Sequence, residues 1–232
     1  MARTPLTGPL RAALAAALLA AASLPGAAQT PAAPQAGPAD QPPPAVAPAA
    51  VPEAGQGQDY ARDIPMGEAN APVTFVEYGS FTCPHCAAFS NDVFPQLKRD
   101  YIDTGKVRFI HREVYFDRYG LWAAMVARCG GDMRYYGFVK TLYATQRDWA
   151  GSDDPAVVGE NLRRLGRTAG LSEEEVNACL ADNDMAKALV VAYQERANVD
   201  GVNSTPTFII NGQKHQNMSY EELKKVLDTA LN

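Results

Sequence analysis

The stretch YGSFTCPHCAAFS contains two cysteines, Cys83 and Cys86, with Pro84 and His85 between them. A Cys-x-x-Cys pair can form half of a zinc site, make a static crosslink, or exchange electrons through thiol–disulfide chemistry. The spacing alone is compatible with all three uses. The choice therefore depends on the neighbouring residues and on the elements that position them.

A zinc site and a static crosslink are both disfavoured by the rest of the sequence. Four thiolates can bind zinc tetrahedrally, but the second half of such a site should be another closely spaced pair. The two remaining cysteines, Cys129 and Cys179, lie far apart in the sequence, on separate predicted helices. A crosslink between Cys83 and Cys86 would close so short a loop that it removes little entropy from the unfolded chain. We therefore expect no metal and no other cofactor.

Thiol–disulfide exchange is supported by the residues around the pair. Pro84 suits the first position of a helix, because its fixed φ is compatible with that position. Cys83 would then lie at the helix N-terminus, where free backbone N–H groups and the positive end of the dipole favour a thiolate. His85 can add a hydrogen-bond donor or a positive charge beside the same sulfur. Cys86 would lie on the neighbouring turn, where it can attack a mixed disulfide from inside the helix.

The elements that position this pair can be read from the apolar patterns. APVTFVEYGS reads as a buried strand and KVRFIHREV as the next one, so the helix between them completes a parallel βαβ unit. A long helical stretch follows, in which Ser172 and Glu175 form a capping box. Asn211-Gly212 then predicts a hairpin, and a capping box at Ser219 opens an amphipathic final helix.

This order of elements predicts an α/β fold. We expect a small mixed sheet flanked by helices, formed by residues 59–118 and 198–232, with an all-α domain inserted at residues 119–197. The chain has 232 residues and a formal net charge of −5, so its charge gives no indication of nucleic-acid binding.

The first residues have the pattern of an export signal. Arg3 and Arg11 accompany a run of Ala and Leu, and small residues follow before Gln29. The apolar run is shorter than the roughly twenty residues that a membrane span needs. We predict a signal peptide at residues 1–28 and a Pro/Ala-rich disordered linker at residues 29–58. An uncleaved segment that anchors the chain to a membrane is the alternative.

Two residues outside the Cys-x-x-Cys helix are predicted to approach it. Glu77 shares strand parity with Val73 and Phe75, so its carboxylate would point inward, where it could accept a proton from Cys86 or tune its charge. The alternative is a strand-edge carboxylate that faces water. Pro206 precedes the last hairpin. A trans proline is the more common state for an X-Pro bond taken alone, but after a strand–helix unit of this kind we favour a cis proline that faces the cysteines.

The other histidines are weak signals. His111 lies on a predicted strand, where a packed or edge residue is more common than a catalyst. His215 follows the hairpin turn and is predicted to face solvent. We therefore assign neither residue a role in the chemistry.

The segments FVEYGSFTCPHCAAF and STPTFIING, with a helical insert between them, resemble the DsbA family of periplasmic thiol:disulfide oxidoreductases. Members of that family are thioredoxin folds with a helical insertion. The resemblance implies that Cys83 is the nucleophile and Cys86 the resolving thiol, and that Pro84 and His85 tune the thiolate. It also implies that Glu77 corresponds to a buried acidic residue of the family.

The same resemblance assigns the residues farther along the chain. Pro206 would be the cis proline of the peptide groove, and the backbone of Thr205 would pair with an extended substrate. Cys129 and Cys179 form a second pair, as in only some members of the family. We expect a structural disulfide that joins two helices of the insert, and two buried free thiols are the alternative.

The function implied by the resemblance is that of a periplasmic oxidase. Such an enzyme donates its Cys83–Cys86 disulfide to unfolded or reduced exported proteins through a mixed disulfide. It would act as a monomer, and a membrane partner resembling DsbB would reoxidise it. A disulfide isomerase or reductase with the same site is one alternative, because Thr205 stands where the best-known oxidase has an aliphatic residue. A non-enzymatic holdase or a metal-binding thioredoxin-like module is another.

Overall fold

The computed structural model describes residues 59–232, in which five strands form one mixed sheet in the order β1-β3-β2-β4-β5. The central strands β2 and β3 are parallel, and the other neighbouring pairs are antiparallel. The mixed sheet confirms the predicted fold class. The predicted signal peptide and linker lie outside the described residues. The strands are β1 Pro65–Met66, β2 Val73–Gly79, β3 Val107–Glu113, β4 Thr207–Ile210 and β5 Gln213–Gln216.

The connection from β2 to β3 is a helix that changes its hydrogen-bonding pattern along its length. It begins as an α-helix, and Phe94 then donates its N–H to Phe89, five residues back, as in a π-helix. Pro95 has no N–H to donate, so the regular i to i−4 pattern cannot continue through it. Its successive segments are α1 Pro84–Ala88, π-helical Phe89–Val93, α2 Phe94–Leu97 and π-helical Lys98–Ile102.

Between β3 and β4 the structure contains helices and no further strand. Most of these helices start at a side chain that accepts a hydrogen bond from the first turn, as at Asp117, Asp154, Ser172 and Asp182. The division into a sheet domain and an inserted helical domain stays a prediction. The helices are α3 Arg118–Cys129, α4 Asp132–Ala144, α5 Gln146–Ala150, α6 Pro155–Thr168, α7 Glu173–Ala181 and α8 Asn183–Val199, and α9 Tyr220–Ala230 follows the hairpin.

The buried core joins the sheet, the Cys-x-x-Cys helix and the helices that follow β3. Cys86 and Ala87 of α1 pack in one apolar cluster with Tyr143 of α4 and Met125 of α3. A second cluster joins the sheet to α9 and to the later turns of the β2–β3 helix. None of the helices in residues 59–232 is long and apolar enough to cross a membrane.

A buried ion pair connects β3 to α3. The Arg128 guanidinium donates to both carboxylate oxygens of Glu113, at 2.7 and 2.6 Å, and both side chains are almost inaccessible to solvent. The Tyr135 hydroxyl donates to the same carboxylate, and Arg128 also donates to the carbonyl of Tyr60. Burial alone would raise the pKa of Glu113, but the adjacent guanidinium and these hydrogen bonds hold it below its usual range. The pair therefore connects β3, α3 and α4 with one another and with Tyr60, which precedes β1.

Replacing Arg128 with Met should destabilise the fold strongly, because it leaves the Glu113 carboxylate buried without its countercharge. We expect the free energy of unfolding, measured by urea denaturation, to fall by about 3–5 kcal/mol. Arg167→Met is the matched control, because Arg167 pairs with Glu160 at 3.1 Å where both side chains are exposed, 37% and 58%. The control should change stability by less than about 1 kcal/mol. Small and equal losses in the two variants would contradict the structural role of the buried pair.

Candidate active site

Cys83 stands at the junction between the central strand and the first helix. Its backbone is extended, with φ −82° and ψ 120°, and it caps α1, with Pro84 inside the first turn. The preceding turn is closed by the Cys83 N–H, which donates to the Ser80 carbonyl at 3.0 Å. Cys83 is half-buried, Cys86 is fully buried, and both are free thiols. The fold thus exposes one sulfur and encloses the other.

The surroundings of Cys83 stabilise its thiolate. Its pKa falls to about 5, and the largest cause is the hydrogen bond that the Cys86 thiol donates to its sulfur. Burial opposes this shift, while the Thr205 side chain and the backbone N–H groups of Cys86 and His85 favour the anion. The His85 side chain is exposed, and the contribution of this residue to the shift comes from its backbone N–H.

The surroundings of Cys86 have the opposite effect. Its pKa is raised far above that of a free thiol, first because Cys86 donates the hydrogen bond to Cys83, then because it is buried, and then because of the Glu77 charge. The pair therefore consists of one acidic, accessible sulfur and one sulfur that keeps its proton. This inequality suits an exchange reaction in which only one sulfur meets the outside partner.

The loop before β4 lies beside the accessible sulfur. The Thr205–Pro206 peptide bond is cis. Cys83 Sγ lies 3.6 Å from the Thr205 carbonyl oxygen, across 122 residues of sequence. Thr207 begins β4 opposite Tyr78 of β2, and its hydroxyl donates to the Ser204 carbonyl at 2.8 Å. The structure thus brings Thr205 and Pro206 to the Cys-x-x-Cys helix.

Glu77 points into the protein from the middle of β2. Only 3% of its surface is exposed, and its strand neighbours are His111 on β3 and Phe208 on β4. Its Oε2 lies 3.3 Å from His111 Nδ1. Its Oε1 has no hydrogen-bond partner in the part of the chain that the structure describes. The inward orientation follows from the strand parity, whereas the contact with His111 depends on the register of β2 with β3.

Two further residues hold the loop that leads to Cys83, and sequence reasoning missed both. Gln146 Nε2 donates to the carbonyls of Phe81 and Cys83, at 2.8 and 3.0 Å. Asp117 caps α3 with one oxygen and accepts the Thr82 hydroxyl on the other, at 2.5 Å. Asp117 had a sequence signal as a helix N-cap. Gln146 had none, because its contact depends on how α4 and α5 approach a loop 63 residues earlier.

The second cysteine pair lies away from this site. Cys129 and Cys179 are bonded to each other and join α3 to α7, with their Cα atoms 6.1 Å apart. The active-site loop contacts the other end of α3, at Asp117, which a helical rise of about 1.5 Å per residue places roughly 18 Å from Cys129. Within residues 59–232 no group of three or more His, Cys, Asp or Glu side chains is arranged to hold a metal ion.

Comparisons with known proteins agree with this arrangement. Residues 60–229 match a family model described as thioredoxin. A protein of Rickettsia typhi, provisionally named protein-disulfide oxidoreductase, is 34% identical over 170 residues, which cover 73% of this chain and 62% of the relative. Disulfide bond formation protein D of Bacillus subtilis is 26% identical over 191 residues, which cover 77% of this chain and 82% of that protein. The chain therefore spans less than two thirds of the Rickettsia relative.

Solved structures give the same result. The crystal structure of alpha-DsbA1 from Wolbachia pipientis matches with a TM-score of 0.67 and 29% identity, covering 73% of this chain and 91% of that one. Oxidised BdbD from Bacillus subtilis matches with a TM-score of 0.65 and 26% identity, covering 73% of this chain and 92% of that one.

The acidity of Cys83 can be measured by thiolate absorbance in the ultraviolet as a function of pH. Because its pKa is lowered to about 5, the reduced protein should carry a thiolate above that pH and lose its absorbance as the pH falls through it. The stabilisation that the thiolate gives to the reduced fold is lost in the same direction. Cys83→Ser provides the baseline. A midpoint near about 8.5, the value of an ordinary thiol, would contradict the proposed surroundings of Cys83.

Gln146→Ala should loosen the loop before Cys83, because it removes both hydrogen bonds to the carbonyls of Phe81 and Cys83. We expect the free energy of unfolding to fall by about 1–2 kcal/mol, together with faster hydrogen exchange in this loop. Gln96→Ala is the control, because the Gln96 amide donates to one carbonyl on the exposed face of its own helix. That change should stay within about 0.5 kcal/mol. Equal effects of the two substitutions would exclude a clamping role for Gln146.

Proposed function

Because this chain belongs to the thioredoxin-fold family of protein-disulfide oxidoreductases that includes DsbA, we propose that it is a dithiol oxidase that donates a Cys83–Cys86 disulfide to reduced client proteins. The observation that carries the proposal is the inequality of the two thiols. Cys83 is acidic and accessible, and Cys86 is buried with a raised pKa. Stabilisation of the Cys83 thiolate favours the reduced form, so the disulfide form is the less stable one and acts as an oxidant.

The reaction proposed for this pair has two steps. A client thiolate attacks the Cys83 sulfur, the Cys83–Cys86 bond breaks, and Cys86 leaves with the electron pair and takes up a proton. The product is a mixed disulfide between Cys83 and the client. A second client thiolate then attacks the client sulfur of that bond, and Cys83 leaves as a thiolate. The low pKa of Cys83 makes it a good leaving group. The client loses two electrons, and the pair gains them.

The residues around the pair have distinct proposed roles. Pro84 and His85, both exposed at the start of α1, would face the client and shape the helix end that stabilises the thiolate. Thr205 would offer its backbone to an extended client segment, because Pro206 has no N–H of its own to compete for partners. Glu77 would exchange a proton with Cys86. The bonded pair Cys129 and Cys179 would serve a structural role in the helical region, because it joins α3 to α7.

The cellular setting is also part of the proposal. The basic and apolar pattern of residues 1–28 supports export by a cleavable signal, and export supports a periplasmic location, where disulfides persist. The clients would then be unfolded or reduced exported proteins. A membrane protein resembling DsbB would reoxidise the pair, and the chain would act as a monomer.

An isomerase is the second candidate, and one observation favours it. Thr205 places a polar residue beside Cys83, and its side chain contributes to stabilising the thiolate. A more stable Cys83 thiolate is a better leaving group. The polar Thr205 side chain would also contact a mixed disulfide formed at Cys83. The two functions differ in the substrate that they process best, which is a reduced client for the oxidase and a client with wrongly paired disulfides for the isomerase.

The proposal is tested by equilibrating the pair with glutathione and by following the oxidation of a reduced client. We expect a reduction potential well above that of thioredoxin, which is about −270 mV, and faster activity on the reduced client than on the mispaired one. Cys86→Ala, mixed with a client that contains a disulfide, should accumulate a mixed disulfide, because the Cys83 thiolate displaces one client sulfur and no resolving thiol is present. The double variant Cys129→Ala/Cys179→Ala should still oxidise the client. A thioredoxin-like potential, or a preference for the mispaired client, would reject the oxidase.

A further inference from the structure

The buried interior near the Cys-x-x-Cys helix contains a polar side chain, His111, that the proposed exchange reaction does not use. His111 is 1% exposed, between the apolar Ile110 and the charged Arg112 on β3, and it lies between Glu77 of β2 and Tyr143 of α4. Its Nδ1 is 3.3 Å from Glu77 Oε2, and its Nε2 is 3.4 Å from the Tyr143 hydroxyl. A buried imidazole with a partner at each nitrogen has a restricted tautomer and orientation.

The roles of these hydrogen bonds follow from the chemistry of the partners. A carboxylate can only accept, so the His111 nitrogen that faces Glu77 carries the proton and donates it. The opposite nitrogen then accepts from the Tyr143 hydroxyl. The ring is also fixed from its faces and edges, because it packs against the rings of Phe81 and Tyr143 with centroids 5.4 and 5.8 Å away. His111 therefore holds one oxygen of Glu77 in place.

Gly79 makes this arrangement sterically possible. A Cβ at this position would lie 2.7 Å from His111 Cε1, 2.8 Å from the Tyr143 hydroxyl and 3.1 Å from Glu77 Oε1. These distances are shorter than normal contacts, so any larger residue would displace the ring or the carboxylate. The three polar groups converge on the space that the glycine leaves, at the end of β2 just before the Cys-x-x-Cys loop. Among them only Glu77 presents an oxygen there with no partner in residues 59–232.

The charge of this carboxylate acts on the Cys86 thiol of α1. The charge of Glu77 is among the causes that raise the pKa of Cys86, after its hydrogen bond to Cys83 and its burial. The charges of Glu77 and Cys86 both act on Tyr143, whose pKa is raised mainly by burial. A buried carboxylate oxygen without a partner is costly, and once Cys83 is held in a mixed disulfide the Cys86 proton is no longer donated to a Cys83 thiolate.

We propose that His111, supported by Tyr143, is a positioning residue that holds one oxygen of Glu77 and so directs the other oxygen to the Cys86 thiol for proton exchange. The proposal rests on the exchange reaction of the Cys83–Cys86 pair described above. It assigns His111 an effect on the step in which Cys86 forms or breaks its bond to sulfur, and none on the step in which Cys83 alone meets an outside disulfide.

The proton balance of each direction is simple. When Cys86 leaves the disulfide, Glu77 gives a proton to its sulfur and becomes a carboxylate, which accepts the hydrogen bond from His111. When Cys86 attacks a mixed disulfide, its proton passes to the free oxygen of Glu77, a bond forms between Cys86 and Cys83, and the outside thiolate leaves. The net proton is exchanged with solvent. General-base assistance of this kind contributes roughly 10²–10⁴-fold to a rate.

The other charged groups near His111 do not compete for this role. Glu113 lies two residues along β3, and the Arg128 guanidinium neutralises it. The Tyr136 hydroxyl of α4 accepts the backbone N–H of His111 and does not engage the ring. The titratable groups that face the ring or its neighbours from β2, β3, α1, α3 and α4 are Glu77, Glu113, Cys83, Cys86, Arg128, Tyr135, Tyr136 and Tyr143.

The experiment mixes the reduced protein with oxidised glutathione and resolves two steps by acid quenching and mass analysis. In the first step the Cys83 thiolate attacks glutathione disulfide and releases one glutathione. In the second step Cys86 attacks the mixed disulfide and releases the other. His111→Leu should slow the second step at least tenfold near neutral pH and leave the first within about twofold. The pH of half-maximal rate for the second step should also move upward, because the carboxylate has lost its donor.

Matched variants separate positioning from general stability. His111→Asn retains a donor near the position of Nδ1 and should recover part of the lost rate. Tyr143→Phe removes only the hydroxyl behind Nε2, so it should slow the second step severalfold and it tests the proposal even if His111→Leu does not fold. Tyr101→Phe is the control, because this buried tyrosine lies in the last segment of the β2–β3 helix and loses its hydroxyl contact with Asp228. It should change neither step.

The outcomes distinguish this proposal from the proposed function. If the first step is fast and the second step is unchanged in both His111→Leu and Tyr143→Phe, the positioning role is wrong and the exchange reaction stands. Equal slowing of both steps would also overturn the proposal, because it would indicate only a structural role. The same conclusion would follow if the second step were slower but its pH profile did not move and His111→Asn recovered none of the rate. If the wild-type protein fails at the first step, the exchange reaction itself is rejected.

Discussion

The hydrogen bond from the Cys86 thiol to the Cys83 sulfur is the interaction on which the proposed chemistry of this protein depends. It stabilises a negative charge on the accessible sulfur and keeps a proton on the enclosed one, so two chemically identical side chains acquire different roles. The bond requires Cys83 at the helix N-terminus and Cys86 on the next turn. It also requires Cys86 to be fully buried, since exposure would reduce the difference between the two sulfurs.

The rest of the molecule maintains this inequality from two sides. The central strand β2 ends at Gly79 directly below α1, and the loop that follows is held by Gln146 and, through Thr82, by Asp117. Both of these residues belong to the helices between β3 and β4. Those helices therefore do more than cover one face of the sheet. They bury Cys86 and determine where the chain turns into the Cys-x-x-Cys helix.

Two buried carboxylates on neighbouring strands, Glu113 and Glu77, differ in how completely their oxygens are hydrogen-bonded. Glu113 accepts from an arginine and a tyrosine, so its charge is fully balanced and it contributes to stability. Within residues 59–232, Glu77 has His111 as its side-chain hydrogen-bond partner, and its Oε1 has none. A permanently balanced carboxylate cannot take part in proton transfer at neutral pH. The partly satisfied carboxylate, whose charge acts on Cys86, is the one for which we propose proton exchange.

The sequence by itself determined the local features, because these depend on residues close together in the chain. The Cys-x-x-Cys spacing, Pro84 at a helix start, the parity of Glu77 and the Asn-Gly turn were enough to predict the mixed sheet and the placement of the two cysteines on one helix. Only the tertiary structure decided that Glu77 meets His111, because that pairing depends on the register of two parallel strands joined through a helix. The contacts of Gln146 and Tyr143 depend on how α4 and α5 pack against α1. Residue spacing and propensity carry no information on such long-range packing, which explains why His111 reads as an ordinary core residue until its neighbours are known.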